Sequence, residues 1–393
     1  MNLPLSLPWF SRASAEVRTP GAFDPWLLFS AFTLMVLGAL MITSASMEVA
    51  DVKYGSPFYH AGKHMVFMLI ALVFGVAVFL VPMSLWQRTG HWWLLAGFLL
   101  LVAVLIPGIG REVNGSIRWI RLGPINIQAS ELAKLCVIVY IAGYLVRRLD
   151  EVRTQWSGFI KPMCVVGVYV GLLLLEPDFG AVVVMTCTVL GMIFLGGMKL
   201  GQFLLVVLGS SILVALIAVA EPYRMQRLTS FMNPWADPFG AGYQLAQAQI
   251  AFGRGEWFGL GLGNSVQKLF YLPEAHTDFV YSVLAEELGL IGALTVVVLF
   301  AILVVRVFAI GRRAEELGLR YQAYVAYGIG LVFAGQALIN IGVNVGVLPT
   351  KGLTLPLVSY GGSSLLVSLG MLGLLCRIHI DSNEAERESE EDA

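Results

Sequence analysis

Ten successive runs of mostly apolar residues dominate the chain, each near the roughly 20 residues a helix needs to cross a bilayer. They fall at about 26–46, 62–82, 92–108, 130–147, 159–175, 178–197, 200–220, 279–308, 323–346 and 355–377. A water-soluble core does not use that much hydrocarbon. Hydrophobic residues make up 58% of the chain and charged ones 13%, with a mean hydropathy of +0.78. The charged share is about half that of a soluble domain, and a net charge of −1 sets up no basic field for nucleic acid. A secreted disulfide scaffold, a disordered chain, a nucleic-acid binder and a cytosolic enzyme are excluded. The expectation is an all-α polytopic integral membrane protein, with about ten transmembrane helices and one large outer loop.

Finer features agree. Cys136, Cys164, Cys187 and Cys376 lie inside apolar runs without CxxC or metal-ligand spacing, as small side chains of membrane helices do. The 42 glycines and 16 prolines predict helices that are closely packed and locally broken. The first run ends in Ser44-Ala45-Ser46, which looks like a signal-peptidase site. Its apolar stretch is too long for a signal peptide and nine more runs follow, so it reads as a retained helix.

An even number of spans puts both termini on one side. That side carries fourteen of the 25 Lys and Arg residues and the opposite side ten, with Lys134 inside a helix. Four of the ten sit in one long loop, where the charge rule is weak, so the remaining bias predicts cytoplasmic termini. The domain reading is a cytoplasmic segment 1–25, a ten-helix membrane domain 26–377 with a periplasmic loop 222–276, and an acidic cytoplasmic tail 378–393. The loop mixes aromatics, glycines and single charges, as an ordered segment with its own short helices would. The tail after Ile380 has seven acids to one base and reads as solvated and disordered.

Chemistry is sought among ionisable groups in or beside the membrane, where desolvation makes them costly. Asp278 opens the eighth span, where Thr277-Asp278 is also an ordinary helix cap. Glu286 and Glu287 follow on the same helix, roughly 12 Å deeper at 1.5 Å per residue, and are expected well inside the bilayer. At least one of them then needs a cation or a wet cavity. Glu131 and Lys134 are spaced i,i+3, a pair open to two readings, mutual neutralisation or part of a site. Glu176-Pro177-Asp178 is a doubly acidic hairpin with no basic residue of its own. Lys351 stands alone before Ser359-Tyr360-Gly361-Gly362-Ser363-Ser364, a glycine break amid hydroxyls. Asn340 and Asn344, one turn apart, read as interhelical glue. Asp278, Arg118, Lys351 and Lys134 sit at outer helix ends and are expected to converge on one site, suited to a lipid-linked diphosphate and a hydroxyl nucleophile.

Several of these stretches, in order, resemble the SEDS family (shape, elongation, division and sporulation). They are Gly242-Tyr243-Gln244, then Tyr271-Leu272-Pro273-Glu274-Ala275-His276-Thr277-Asp278-Phe279 with Ala285-Glu286-Glu287-Leu288-Gly289, then Pro349-Thr350-Lys351-Gly352 through Ser364. Ser116-Ile117-Arg118-Trp119-Ile120 and Gln128-Ala129-Ser130-Glu131-Leu132-Ala133-Lys134 also fit, although the family often has Pro where Ala129 stands. The resemblance runs from about residue 26 to 377. Met41–Met47 and Gly261–Lys268 place it nearer the family's cell-division branch, in its Gram-negative form.

The resemblance implies a peptidoglycan glycosyltransferase of the inner membrane at the division septum. Such an enzyme polymerises lipid II into a growing glycan strand, with inversion and loss of undecaprenyl diphosphate. The family's essential Asp maps onto Asp278, expected as general base. Arg118, Lys351, Lys134, Glu131, Gln244, His276 and Ser359 are the expected substrate-binding residues. Charge building on the diphosphate calls for cations or a divalent metal, Mg²⁺ or Mn²⁺, although no ligand cluster is visible. The implied partners are a class B penicillin-binding protein (FtsI), other divisome proteins and the bilayer, with no nucleic acid. The rival reading is a lipid II flippase; against it, no internal repeat is visible and the distinctive residues cluster at the outer surface rather than at the midplane.

Overall fold

Each of the ten apolar runs forms a helix. The structure, a computed structural model, describes residues 23–113, 116–122, 125–219, 230–240, 242–350 and 352–392. The helices are α1 (Pro25–Tyr54), α2 (Tyr59–Leu80), α3 (Met83–Leu105), α4 (Ala129–Arg147), the short α5 (Leu149–Thr154), α6 (Ser157–Leu175), α7 (Phe179–Leu195) and α8 (Leu200–Val219). After the long loop come α9 (Tyr243–Gly255), α10 (Val280–Glu316), α11 (Arg320–Val345) and α12 (Gly362–Glu391). Among the described residues, eight helices are long and apolar enough to cross a membrane; α7 and Leu200–Ile212 of α8 are shorter apolar helices.

The helix ends follow from local chemistry. Asp24 accepts from the Leu27 amide at 2.9 Å, and Pro25 occupies the first turn, where its missing N–H costs nothing. The same carboxylate pairs with Arg306 of α10, fastening the start of α1 to its neighbour. Between helices there is no hydrophobic drive in lipid, so close approach carries the packing. Gly75 of α2 and Gly373 of α12 provide it: a Cβ on Gly373 would collide with the Gly75 carbonyl, and α2 and α12 run in extensive contact.

The helical membrane class stands, with one addition and two corrections. Within the mostly helical fold, β1 (Gly110–Val113), β2 (Ser116–Leu122) and β3 (Ile125–Gln128) form an antiparallel sheet of order β1-β2-β3 between α3 and α4. Asn114-Gly115 followed by alternating Ser116–Leu122 is a hairpin signal that the helical reading passed over. The first correction is that α10 is broken at Gly289, whose φ of 69° and ψ of −168° suit only glycine. Glu286 and Glu287 therefore lie in the last turn of a short helix that starts beside Asp278, and the span is not continuous beyond them. The second is that the acidic tail is helical to Glu391. Ile378, His379, Ser382 and Asn383 are buried, and Glu386 pairs with Arg313 of α10.

Candidate functional site

The sheet, the 355–361 loop and the 271–279 loop meet at one end of the bundle, called here the loop face. Asp278 lies there, immediately before α10. Its main chain is fixed: Asn340 and Asn344 of α11 each donate to the Asp278 carbonyl at 3.0 Å. Asn340 also donates to the Leu353 carbonyl at 2.6 Å, and Asn344 accepts from Ser282. The two asparagines thus do more than join helices; they hold the Asp278 and Leu353 segments side by side.

The Asp278 carboxylate is left for other work. Phe279 is the cap residue of α10, and no side chain caps that helix. A Cβ on Gly352 would lie 3.2 Å from Asp278 Oδ2 and 3.8 Å from Arg118 Nη1, so the acid and the guanidinium border the same glycine. Burial, then the Glu274 carboxylate, pushes the Asp278 carboxyl up to about 7; Arg118 opposes the shift and Asp178 adds to it. An acid in that range exchanges protons near neutral pH, as a general base must.

Arg118 projects from β2 and is itself held. It donates to the carbonyls of Glu176 (3.4 Å) and Pro177, with Nη1 3.8 Å from Asp178 Oδ1. The doubly acidic hairpin therefore has its cation after all, supplied by the sheet. Asp178 is a hub, accepting from Ser130 at 2.9 Å, Gln128 at 3.3 Å and the Ala181 amide at 3.2 Å. Glu176 is fully buried and neither carboxylate oxygen has a hydrogen-bond partner among the described residues. Burial and then Asp178 push its pKa up to about 8, against the pull of Arg118.

The other expected residues divide. Lys134 does not join Asp278 and Arg118. It pairs with Glu131 at 2.9 Å inside the bundle, where Gln336 of α11 donates to the same carboxylate at 3.4 Å. Gln336 is one turn from Asn340, so α11 links this pair to the Asp278 segment. Ser359 is spent on its own turn: its hydroxyl accepts from the Leu355 amide at 2.9 Å. Gln244 is half-buried at the start of α9. His276 packs against His60 and Tyr360, with ring centroids 5.2 and 5.6 Å away. Lys351 lies outside the described residues.

Glu286 and Glu287 find partners where the sequence reading required them. Glu287 takes Lys268 at 2.9 Å and the Ser44 hydroxyl at 2.7 Å; Glu286 takes Ser265, the amides of Val266 and Gln267, and Arg254 at 3.2 Å. Both glutamates fasten the long loop to the segment that follows Asp278. Among the described residues no group of three or more His, Cys, Asp or Glu side chains is placed to ligate a metal, and Asp278 faces a guanidinium.

The family profile of cell cycle proteins FtsW, RodA and SpoVE matches residues 25–384. FtsW of Halomonas elongata, described as a probable peptidoglycan glycosyltransferase, is 56% identical over 96% of both chains. FtsW of Pseudomonas fluorescens, described in the same words, is 55% identical over 92% of this chain and 90% of its own. Among solved structures, a chain from a peptidoglycan synthase complex that coordinates polymerization and crosslinking superposes with a TM-score of 0.76. It is 29% identical, covering 92% of this chain and 98% of that one. The rod shape determining protein RodA of Thermus thermophilus gives 0.68 at 26% identity, over 92% and 97%.

Proposed function

The chain belongs to the SEDS family, the FtsW/RodA/SpoVE cell cycle proteins, and on that premise we propose that it is a peptidoglycan glycosyltransferase that polymerises lipid II. Asp278 is the general base. The 4-hydroxyl oxygen of the acceptor sugar attacks the donor's anomeric carbon while its proton passes to the Asp278 carboxylate. The bond from that carbon to the diphosphate breaks, and undecaprenyl diphosphate leaves with the bonding pair, inverting the centre. Arg118, and Lys351 beside Gly352, meet the charge that builds on the leaving diphosphate. The observation that carries the reading is the Asp278 carboxyl itself, free of any capping duty, raised into the neutral range and bordering a cation.

The protein is a multi-pass membrane protein, and in our reading it works with a penicillin-binding protein; its likeness to a chain of a peptidoglycan synthase complex that coordinates polymerization and crosslinking supports this. In our reading that partner is a class B transpeptidase, FtsI. The setting is the septal inner membrane among other divisome proteins, with both termini cytoplasmic. Single cysteines at Phe258 and Ser389, both exposed, then label with an impermeant reagent from opposite sides. Equal labelling from outside overturns the orientation.

The deciding experiment is glycan extension from lipid II by purified protein and its transpeptidase in detergent, where no membrane crossing is needed. A general base contributes about 10²–10⁴-fold to rate, so Asp278→Asn is expected to lose that factor while still folding and binding its partner. Undiminished extension by the folded variant would remove the base and return weight to a flippase.

A further inference from the structure

Next to Asp278 the loop face carries a cluster of phenol and imidazole rings that the reaction as described does not use. Tyr54 ends α1 and Tyr59 starts α2, and their rings stack with centroids 4.0 Å apart. His60 meets both edge-on at 5.5 Å and lies 5.2 Å from His276 and 5.6 Å from Tyr360. His64, one turn along, is buried 5.9 Å from Tyr360. The Tyr360 amide donates to the His276 carbonyl at 3.0 Å, and His276 is two residues from Asp278. The α1–α2 connection, the Asp278 segment and the 355–361 loop thus contribute rings to one patch.

Packing alone does not account for the choice of rings. A staple between loops is cheapest in Phe and Leu, whereas each of these six rings brings polar atoms that need partners. Nδ1 of His60 is buried with no hydrogen-bond partner among the described residues, a cost that Phe or Leu would not carry. An aromatic belt at a membrane surface accounts for Tyr54 and Tyr59, each 43% exposed, but not for imidazoles turned to the Asp278 segment. Burial lowers the His276 pKa despite Glu274 nearby, which keeps its ring neutral, with one donor and one acceptor.

A pyranose ring matches this surface. Its C–H face is apolar and packs on aromatic rings, while its hydroxyl rim both donates and accepts hydrogen bonds. We propose that His60, His276 and Tyr360, flanked by the Tyr54–Tyr59 stack, form a saccharide subsite that holds a sugar of the growing glycan beside Asp278. The proposal rests on the glycosyltransferase reading and adds a place for the strand.

Binding of a lipid-free tetrasaccharide of alternating N-acetylglucosamine and N-acetylmuramic acid tests it. Saturation-transfer NMR on the full chain with its transpeptidase in detergent reads the contact without turnover. The expected result is saturation of sugar ring protons, with affinity reduced about tenfold or more in Tyr360→Leu and in the exposed-ring variant Tyr59→Ala. Tyr360→Phe, which keeps the ring, is expected to keep most of it. Because Tyr59 is exposed, its variant stays informative where Tyr360→Leu fails to fold. Wild-type affinity in folded Tyr360→Leu or Tyr59→Ala overturns the subsite, as does displacement of the sugar signal by inorganic pyrophosphate alone. If the wild-type protein extends lipid II normally but shows no saccharide contact, the subsite falls and the glycosyltransferase stands. If it extends nothing, the parent reading falls first.

Discussion

Asp278 and Arg118 close on one glycine from two different parts of the chain, with the Cβ position of Gly352 3.2 Å from the carboxylate and 3.8 Å from the guanidinium. The arrangement sets a balance. Burial and Glu274 raise the Asp278 pKa to about 7, and Arg118 pulls it down. A general base works deprotonated, so kcat/KM is expected to rise with pH on an acid limb centred near 7. Removing the cation in Arg118→Gln takes away the downward pull and moves the limb to higher pH. Removing the like charge in Glu274→Gln moves it to lower pH. A pH–rate profile of lipid II polymerisation checks both, and limbs that stay in place in both variants would show that Asp278 does not set them.

Lys268 and Glu287 make a second test, of architecture rather than chemistry. The ammonium lies 2.9 Å from the Glu287 carboxylate and also donates to Ser44 and the Gly263 carbonyl, each at 2.8 Å. Both side chains are buried. Breaking a buried pair by deleting one partner costs about 3–5 kcal/mol, because the other charge stays behind unpaired. Lys268→Met is therefore expected to lower the Tm by several degrees, and adding Glu287→Leu to recover much of the loss. A differential scan of the two proteins in the same detergent decides it; a double variant no better than the single one would falsify the pairing argument.

The helical membrane architecture was legible because a bilayer demands a run of apolar residues at every crossing, and such runs survive in one dimension. Asp278 and Arg118 were legible for the opposite reason, as rare ionisable groups beside those runs. Pairing across long stretches of chain was not. Nothing in the spacing of Ser44, Lys268 and Glu287 states that they meet, nor that Arg118 answers the Glu176-Pro177-Asp178 hairpin. The break at Gly289 hid inside an apolar run, since a single glycine there is also tolerated in a continuous helix. Composition hid the helical tail: its acidic residues look solvated, but Ile378 and Ser382 face the bundle and Arg377 pairs with Asp381 one turn on. The ring cluster was missed because its six members come from three separate segments: His276 and Tyr360 stood in motifs, but nothing in the spacing joined them to Tyr54, Tyr59, His60 and His64.

Gly352 supplies the last prediction. Its backbone has no unusual demand, so glycine is there for room rather than for conformation. A methyl group at 3.2 Å from Asp278 Oδ2 is tighter than carbon atoms normally sit, and the carboxylate has to yield by a few tenths of an ångström. Catalytic geometry tolerates this poorly: a misplacement of about 1 Å can cost about 10²-fold in rate. Gly352→Ala is therefore expected to reduce kcat by roughly tenfold, within that bound, while the Tm moves little because Asn340 and Asn344 still hold the main chain. Single-turnover extension of lipid II, alongside a thermal scan, separates the two effects. A Gly352→Ala protein with wild-type kcat would mean that the Asp278 carboxylate does not work from the position it occupies beside this glycine.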